Sequence, residues 1–146
     1  ECLQDAMDKA EKLCQQKEQR FTPIRRKVLE IIWSSHEPVS AYDLLRELRI
    51  HKKNAEAPTV YRALEFLQSN DLIHRIETLN SFVGCNHPET SHISQFLICE
   101  ACNQVAELTE PGVHERIHAR ADELGFRINQ QTVELIGICS ACSNEK

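Results

Sequence analysis

No stretch of about 18 consecutive apolar residues exists in this 146-residue chain, so a membrane-spanning helix is excluded. The first 30 residues carry charges (Asp5, Asp8, Lys9, Glu11, Lys12) where a secretion leader would be apolar, and no leader is expected. Aromatic residues make up only 5% and the formal net charge is −5, which argues against a protein that holds nucleic acid by bulk charge alone. Internal repeats and low-complexity segments are also missing. What is present, with 41% hydrophobic residues, is enough for one compact domain or two small ones. A chain of this length buries roughly two-thirds of its unfolded surface.

The average charge conceals an asymmetry. Residues 1–80 carry 13 Lys+Arg and 13 Asp+Glu, whereas residues 81–146 carry 4 and 9. Within the first half, the window 20–62 holds nine basic residues (Arg20, Arg25, Arg26, Lys27, Arg46, Arg49, Lys52, Lys53, Arg62) against five acids. A locally basic module joined to an acidic one is the layout of a DNA reader with a separate sensing or dimerisation lobe. A solvated helical face would carry the same charges.

Periodicity places helices in the first 70 residues. Leu3, Ala6, Met7, Ala10, Leu13 and Cys14 recur at three- and four-residue spacing. Thr22 caps a second helix with Pro23 at its start and Val28, Leu29, Ile31 and Ile32 inward. Ser40, with Asp43 three residues on, opens a third as a capping box with Asp in place of Glu. Pro58 opens a fourth, whose apolar face is Val60, Ala63, Leu64 and Leu67; Arg62, Glu65 and Ser69 point away and Tyr61 sits on the flank. Beyond Asp71, Leu72–Ile76 and Ser81–Gly84 read as two short strands about a turn at Leu79–Asn80. Helices followed by a β-hairpin predict a winged helix-turn-helix, with the fourth helix entering the major groove. On that helix Arg62 suits a guanine edge or a phosphate, and Tyr61 a thymine methyl or a phosphate.

The second half predicts strands at Phe96–Cys99, Val105–Leu108 and Arg127–Ile138. A helix between the last two carries Val113, Ile117, Ala121 and Leu124 as one stripe and ends at Gly125. The expected fold is therefore α+β: a winged helix-turn-helix domain (1–80), a hinge (81–85) and a small α/β dimerisation and metal-binding domain (86–146). A lobe of about 60 residues is thin for a self-sufficient core and needs a staple.

Cysteine supplies the staple. The chain has seven Cys and seven His, and Cys99-x-x-Cys102 and Cys139-x-x-Cys142 form two knuckles 36 residues apart. Four thiolates so grouped suit tetrahedral zinc, each turn bringing two sulfurs to one ion. Structural zinc binding is folding free energy, and a pair of disulfides is the rival arrangement in an oxidising compartment. Further candidate ligands are His74, Cys85, His87, His92, Glu107, His114 and His118. A site drawing on both lobes would act as a switch. Cys2 and Cys14 read as structural.

Two enzyme motifs compete. His114-Glu115-Arg116-Ile117-His118 spells the H-E-x-x-H of zinc peptidases, with Glu134 as a third ligand. Against it, the helix also supplies the core stripe through Ile117, and the lobe is small for a peptide cleft. His87-Pro88-Glu89 ahead of Cys99-x-x-Cys102 echoes the zinc deaminases, but Ile98 replaces the expected proline and the second Cys pair is left unexplained. A zinc-stapled partner-binding domain without DNA is a third alternative.

Thr22-Pro23-x-Arg25, Ser40-Ala41-Tyr42-Asp43-Leu44-Leu45, Pro58-Thr59-Val60-Tyr61-Arg62-Ala63-Leu64 and the two CxxC pairs together resemble the ferric uptake regulator superfamily, in particular its zinc uptake regulator branch. The resemblance runs from the first helix to Cys142. It implies a cytoplasmic, bacterial, homodimeric repressor that binds AT-rich palindromic operator DNA when loaded with metal and controls zinc-uptake genes. It implies two zinc ions per chain, a structural one at Cys99, Cys102, Cys139 and Cys142 and a regulatory one at His74, Cys85, His92 and Glu107. The DNA contacts fall on Tyr61 and Arg62. His114 and His118 match no ligand of the family. Two imidazoles, a thiolate and a carboxylate suit zinc, whereas iron-type sensors lean on imidazole and carboxylate. The chain also lacks the His-rich cluster of iron-sensing members near 85–89, and Leu124 stands where they often carry His before Gly125. A regulator of the same architecture sensing iron, manganese or peroxide is the alternative.

Overall fold

The computed structural model describes residues 3–89 and 93–144, which form two compact units, Glu1–Ser91 and His92–Lys146. The first is mostly helical. Helix α1 (Leu3–Gln16) turns Ala6, Met7, Ala10 and Cys14 inward and ends where Glu18 takes a positive φ of 55°. Helix α2 (Pro23–Ser34) begins at Thr22, whose hydroxyl accepts from the Arg25 N–H, and buries Val28, Leu29 and Ile32. Helix α3 (Ala41–His51) begins at Ser40, whose Oγ accepts from the Asp43 N–H at 3.1 Å. The Asp43 carboxylate pairs with Arg46 at 3.1 Å. Its short side chain serves the helix surface, and the capping is carried by Ser40.

Helix α4 (Ala57–Ser69) starts beside Pro58 and buries Val60, Ala63, Leu64 and Leu67. Asn70 ends it as a polar clasp: Nδ2 donates to the Phe66 carbonyl (2.9 Å) and Oδ1 accepts from Lys17 of the α1 end (3.3 Å). Strands β1 (Ile73–Ile76) and β2 (Ser81–Gly84) pair antiparallel, Ile73 opposite Gly84, with Asn80 at φ 47° closing the turn. A bridge between Val39 and Phe82 ties the hairpin to the lead-in of α3. This is the expected winged helix-turn-helix. Sixteen buried apolar residues, from Met7 to Phe82, form its core. Each fully buried Leu or Ile contributes about 1.5–3 kcal/mol of transfer free energy.

The second unit is a three-stranded sheet of order β4-β3-β5 with one long helix. Strand β3 (Gln95–Cys99) pairs antiparallel with β4 (Val105–Leu108) and parallel with β5 (Val133–Gly137). Helix α5 (Pro111–Glu123) makes the crossover, and a short α6 (Ser140–Ser143) follows β5. The fully buried Gln95 accepts the Glu110 N–H on Oε1 at 2.9 Å, fixing the entry to α5.

Three expectations are corrected. The last strand is Val133–Gly137, and residues 127–132 are irregular linker. The α5 stripe does not close a core: the helix buries no residue, Ile117 is 41% exposed and Leu124 84%. Leu124 caps the helix just ahead of Gly125 (φ 67°). Residues 81–84 are strand β2, so the expected hinge at 81–85 lies inside the first unit and the division falls at Ser91/His92. The composition shift after Asp71 marked the hairpin, and the hairpin is needed to cover the helices.

Candidate metal centres and nucleic-acid surface

The four knuckle cysteines converge at one end of the β3–β5 pair. A tight turn after β3, with Asn103 at φ 59° and its N–H bonded to the Cys99 carbonyl (2.8 Å), folds Cys102 back beside Cys99. Parallel pairing of Cys99 with Gly137 brings Cys139 alongside, and the single turn of α6 returns Cys142. The sulfurs of Cys99, Cys102, Cys139 and Cys142 lie within 4.8 Å of one another, with Cys102 and Cys139 3.9 Å apart. Zinc–sulfur bonds of about 2.3 Å in a tetrahedron impose sulfur separations of roughly 3.8 Å, while a disulfide needs about 2.05 Å. The arrangement fits a tetrahedral ion and is no disulfide pair.

The electrostatics of this group are equally particular. The Cys139 N–H, 3.3 Å from the Cys99 sulfur, leads the interactions that pull Cys99 down to about 6. Cys142 is pushed up to about 12 by thiol hydrogen bonding with Cys139 and then Cys102. One thiolate is favoured and the fourth opposed. A divalent cation held by the four sulfurs would reverse that opposition, because coordinating thiols deprotonate outright.

In the first unit, His74 on β1 and Cys85 just after β2 present ligand atoms within 4.8 Å of each other. Hairpin register places them together, since His74 pairs with Val83 and the Cys85 N–H donates to the Leu72 carbonyl (3.0 Å). Cys85 is 2% exposed. An imidazole and a buried thiol at this spacing are a soft half-site for zinc. Trp33 packs over Gly84, where a Cβ would come within 2.5 Å of the indole, so only glycine fits beside Cys85. In the second unit Glu107, on β4 opposite Phe96, accepts from the Ser94 hydroxyl at 2.5 Å. His92 lies outside the described residues.

The basic window sorts into committed and free side chains. Arg25 lies over Phe66 at 3.7 Å and donates to the Arg20 carbonyl; Arg26 lies over Phe21 and pairs with Glu11. Lys27 pairs with Glu30, Arg46 with Asp43, and Arg49 donates to the Ala55 carbonyl. On α4, Tyr61 is 60% exposed and Arg62 is exposed, with no hydrogen bond or ion pair to a described residue. A solvated Arg and Tyr on the outer face of the second helix of a helix-turn-helix are available to a duplex.

The enzyme motifs fare differently. His114 and His118 do share one side of α5, but no described His, Cys, Asp or Glu joins them as a third donor. Both ring systems instead contact Gln131, a residue that no motif or spacing singles out. His87 is solvent-facing beside Glu89 (3.8 Å). Ser94, Trp33 and Gly84 were likewise silent in the sequence, because their roles come from register and packing.

The ferric uptake regulator family matches residues 16–136. The zinc uptake regulation protein of Escherichia coli (strain K12) is 39% identical over 140 residues, covering 95% of this chain and 82% of that protein. A zinc uptake regulator solved in complex with zinc and DNA superposes with a TM-score of 0.94 at 38% identity, over 98% of this chain and 96% of that one. Holo XcZur superposes with a TM-score of 0.87 at 40% identity, over 94% and 96% of the two chains. A winged helix with an exposed Tyr61–Arg62 face, a lobe closed by four cysteines and a match of this extent lead to one assignment: the chain belongs to the ferric uptake regulator family.

Proposed function

We propose that this protein is a zinc-responsive transcriptional repressor that binds operator DNA as a zinc-loaded homodimer and controls zinc-uptake genes in a bacterial cytoplasm. The observation that carries the reading is the near-complete likeness to a regulator solved with zinc and DNA, in a chain whose own donors suit zinc. Cys99, Cys102, Cys139 and Cys142 would hold a structural ion; His74, Cys85, His92 and Glu107 would hold a regulatory one. Zinc at the second set supplies a binding free energy that favours the DNA-competent form, and only a difference in affinity between forms can do so.

The rest falls to the chain. Cys85 is held by the Leu72 carbonyl and His74 by strand pairing, so the half-site is preformed by the wing. Glu107 is oriented by Ser94. Tyr61 and Arg62 read an AT-rich palindrome from α4. Dimerisation uses the second unit: β5 is an edge strand, and Leu97, Leu135, Ile136 and Ile138, each 42–55% exposed, line an apolar groove of ≈ 540 Å³. An open apolar edge strand invites pairing with a second copy.

The test is zinc content and operator binding followed together across a graded chelator titration. Loss of the weaker zinc together with the gel shift, the tighter zinc being retained, is the expected result. DNA binding indifferent to chelator, or restored only by iron or manganese, overturns the zinc assignment. Cys85→Ser abolishes zinc-dependent binding in a folded dimer, and Arg62→Ala weakens binding without changing zinc content. Trp33 is the only tryptophan and packs over Gly84, the residue before Cys85, so its fluorescence is expected to change as the regulatory set fills.

A further inference from the structure

His114 and His118 stand one turn apart on α5, so their side chains lie over one another on one face. Their ring centroids are 3.9 Å apart and tilted by 45°. His114 reaches with Nδ1 and His118 with Nε2, and both nitrogens meet the same atom: Gln131 Oε1, at 3.3 and 3.1 Å. Gln131 sits in the linker ahead of β5, and its Nε2 makes no hydrogen bond, so the two imidazoles alone set the direction of its carbonyl.

Zinc bound to nitrogen or oxygen at about 2.0–2.2 Å places tetrahedral ligands roughly 3.3–3.5 Å apart. The two observed nitrogen–oxygen separations are close to that edge, with both nitrogens directed to the carbonyl. We propose that His114, His118 and Gln131 form a further, exchangeable zinc site on α5, distinct from the four-cysteine group and from the His74–Cys85 pair. Zinc replaces the protons on His114 Nδ1 and His118 Nε2 that the carbonyl now accepts, each proton moving to solvent while the remote ring nitrogen carries the N–H. The carbonyl oxygen is a third, weak ligand, and water completes the shell because α5 buries none of its residues. Residues 81–146 carry 4 basic and 9 acidic side chains, a field that favours a cation there. With no thiolate and one neutral oxygen, the site fills after the other two and responds to higher zinc. It is the H-E-x-x-H geometry put to binding; Glu115 is exposed and the third ligand is an amide.

Cobalt(II), added to the full chain as purified with its tight zinc retained, distinguishes the sites by colour. Wild type takes one equivalent with a sulfur-to-metal charge-transfer band and a further, weaker one without it. His114→Gln/His118→Gln loses the second and keeps the first, with unchanged circular dichroism and Trp33 fluorescence response. Gln131→Ala weakens it about tenfold, the scale of removing a supporting group. Gln131→Glu, which makes the His₂Glu set of the zinc peptidases, tightens it at least about tenfold. That gain cannot come from misfolding. A double His variant that binds the same equivalents, or a Gln131→Glu chain no tighter than wild type, overturns the site.

Discussion

Residues 1–91 and 92–146 reach stability by different means. The first unit gathers sixteen apolar residues into one core and leaves Tyr42, Ile50 and Tyr61 as its exposed large hydrophobics. The second buries only Phe96, Ile98 and Cys99 among its described apolar side chains, and exposes nine large hydrophobics from Ile93 to Ile138. Four long helices and a hairpin can close around themselves, but a three-stranded sheet with one helix covers a single face. On the proposed function, coordination at the four cysteines and association with a second copy would supply what packing lacks in that second unit. On that reading its integrity depends on metal and on a second copy.

The largest effect is expected at the cysteines. Cys102→Ser is expected to remove one zinc per chain, erase hydrogen-exchange protection across β3, β4 and β5 and abolish the dimer, leaving α2–α4 protected. Structural zinc is worth about 10–16 kcal/mol in finger-sized peptides, more than most domains' entire stability. A variant that keeps its dimer would show the second core to be sufficient after all. The converse is Leu67→Ala, at a fully buried position of the first core. It should cost about 2–5 kcal/mol in the unfolding transition followed by Trp33 fluorescence, with zinc content unchanged. Ile136→Asp then tests the exposed edge strand. A carboxylate buried in an apolar seam should cost roughly 2 kcal/mol or more, about thirtyfold in the dimer dissociation constant by sedimentation, with the structural zinc still bound. An unchanged constant would move the seam away from β5.

The same contrast explains what could be read in the sequence. Helices α1–α4 announce themselves through apolar spacing and through Thr22, Ser40 and Pro58 at their starts, because a self-contained core imposes its period on the chain. The four cysteines were legible as a group from their two C-x-x-C pairs, and their sulfurs do converge. The second unit is harder to read because most of its apolar residues lie exposed on the single chain and impose no core period. Leu124 continues the apolar stripe of α5 yet is 84% exposed, and residues 127–132, with Ile128 their one apolar side chain, are linker. The pairing of His74 with Cys85 depends on hairpin register, and the meeting of His114 and His118 at Gln131 on a linker. Spacing alone encodes neither.

The smallest effect is confined to one hydrogen bond. Ser40 Oγ accepts the Asp43 N–H at 3.1 Å, while Thr22 Oγ1 accepts the Arg25 N–H at a longer 3.4 Å. Ser40→Ala leaves a helix N–H without its acceptor and should cost about 1 kcal/mol, or roughly 4–8 °C in the melting of a unit this size. Thr22→Ala should cost less, since the longer bond is weaker and Pro23 already fixes the first turn. Ser40→Asp should restore the loss, an aspartate being an equally good cap and favoured by the helix dipole. The second unit contributes nothing to this contact, so its hydrogen exchange should not change in any of the three variants. A Ser40→Ala chain whose β3–β5 amides also lose protection would mean that the two units unfold together, and that the first core stabilises more of the molecule than its own residues.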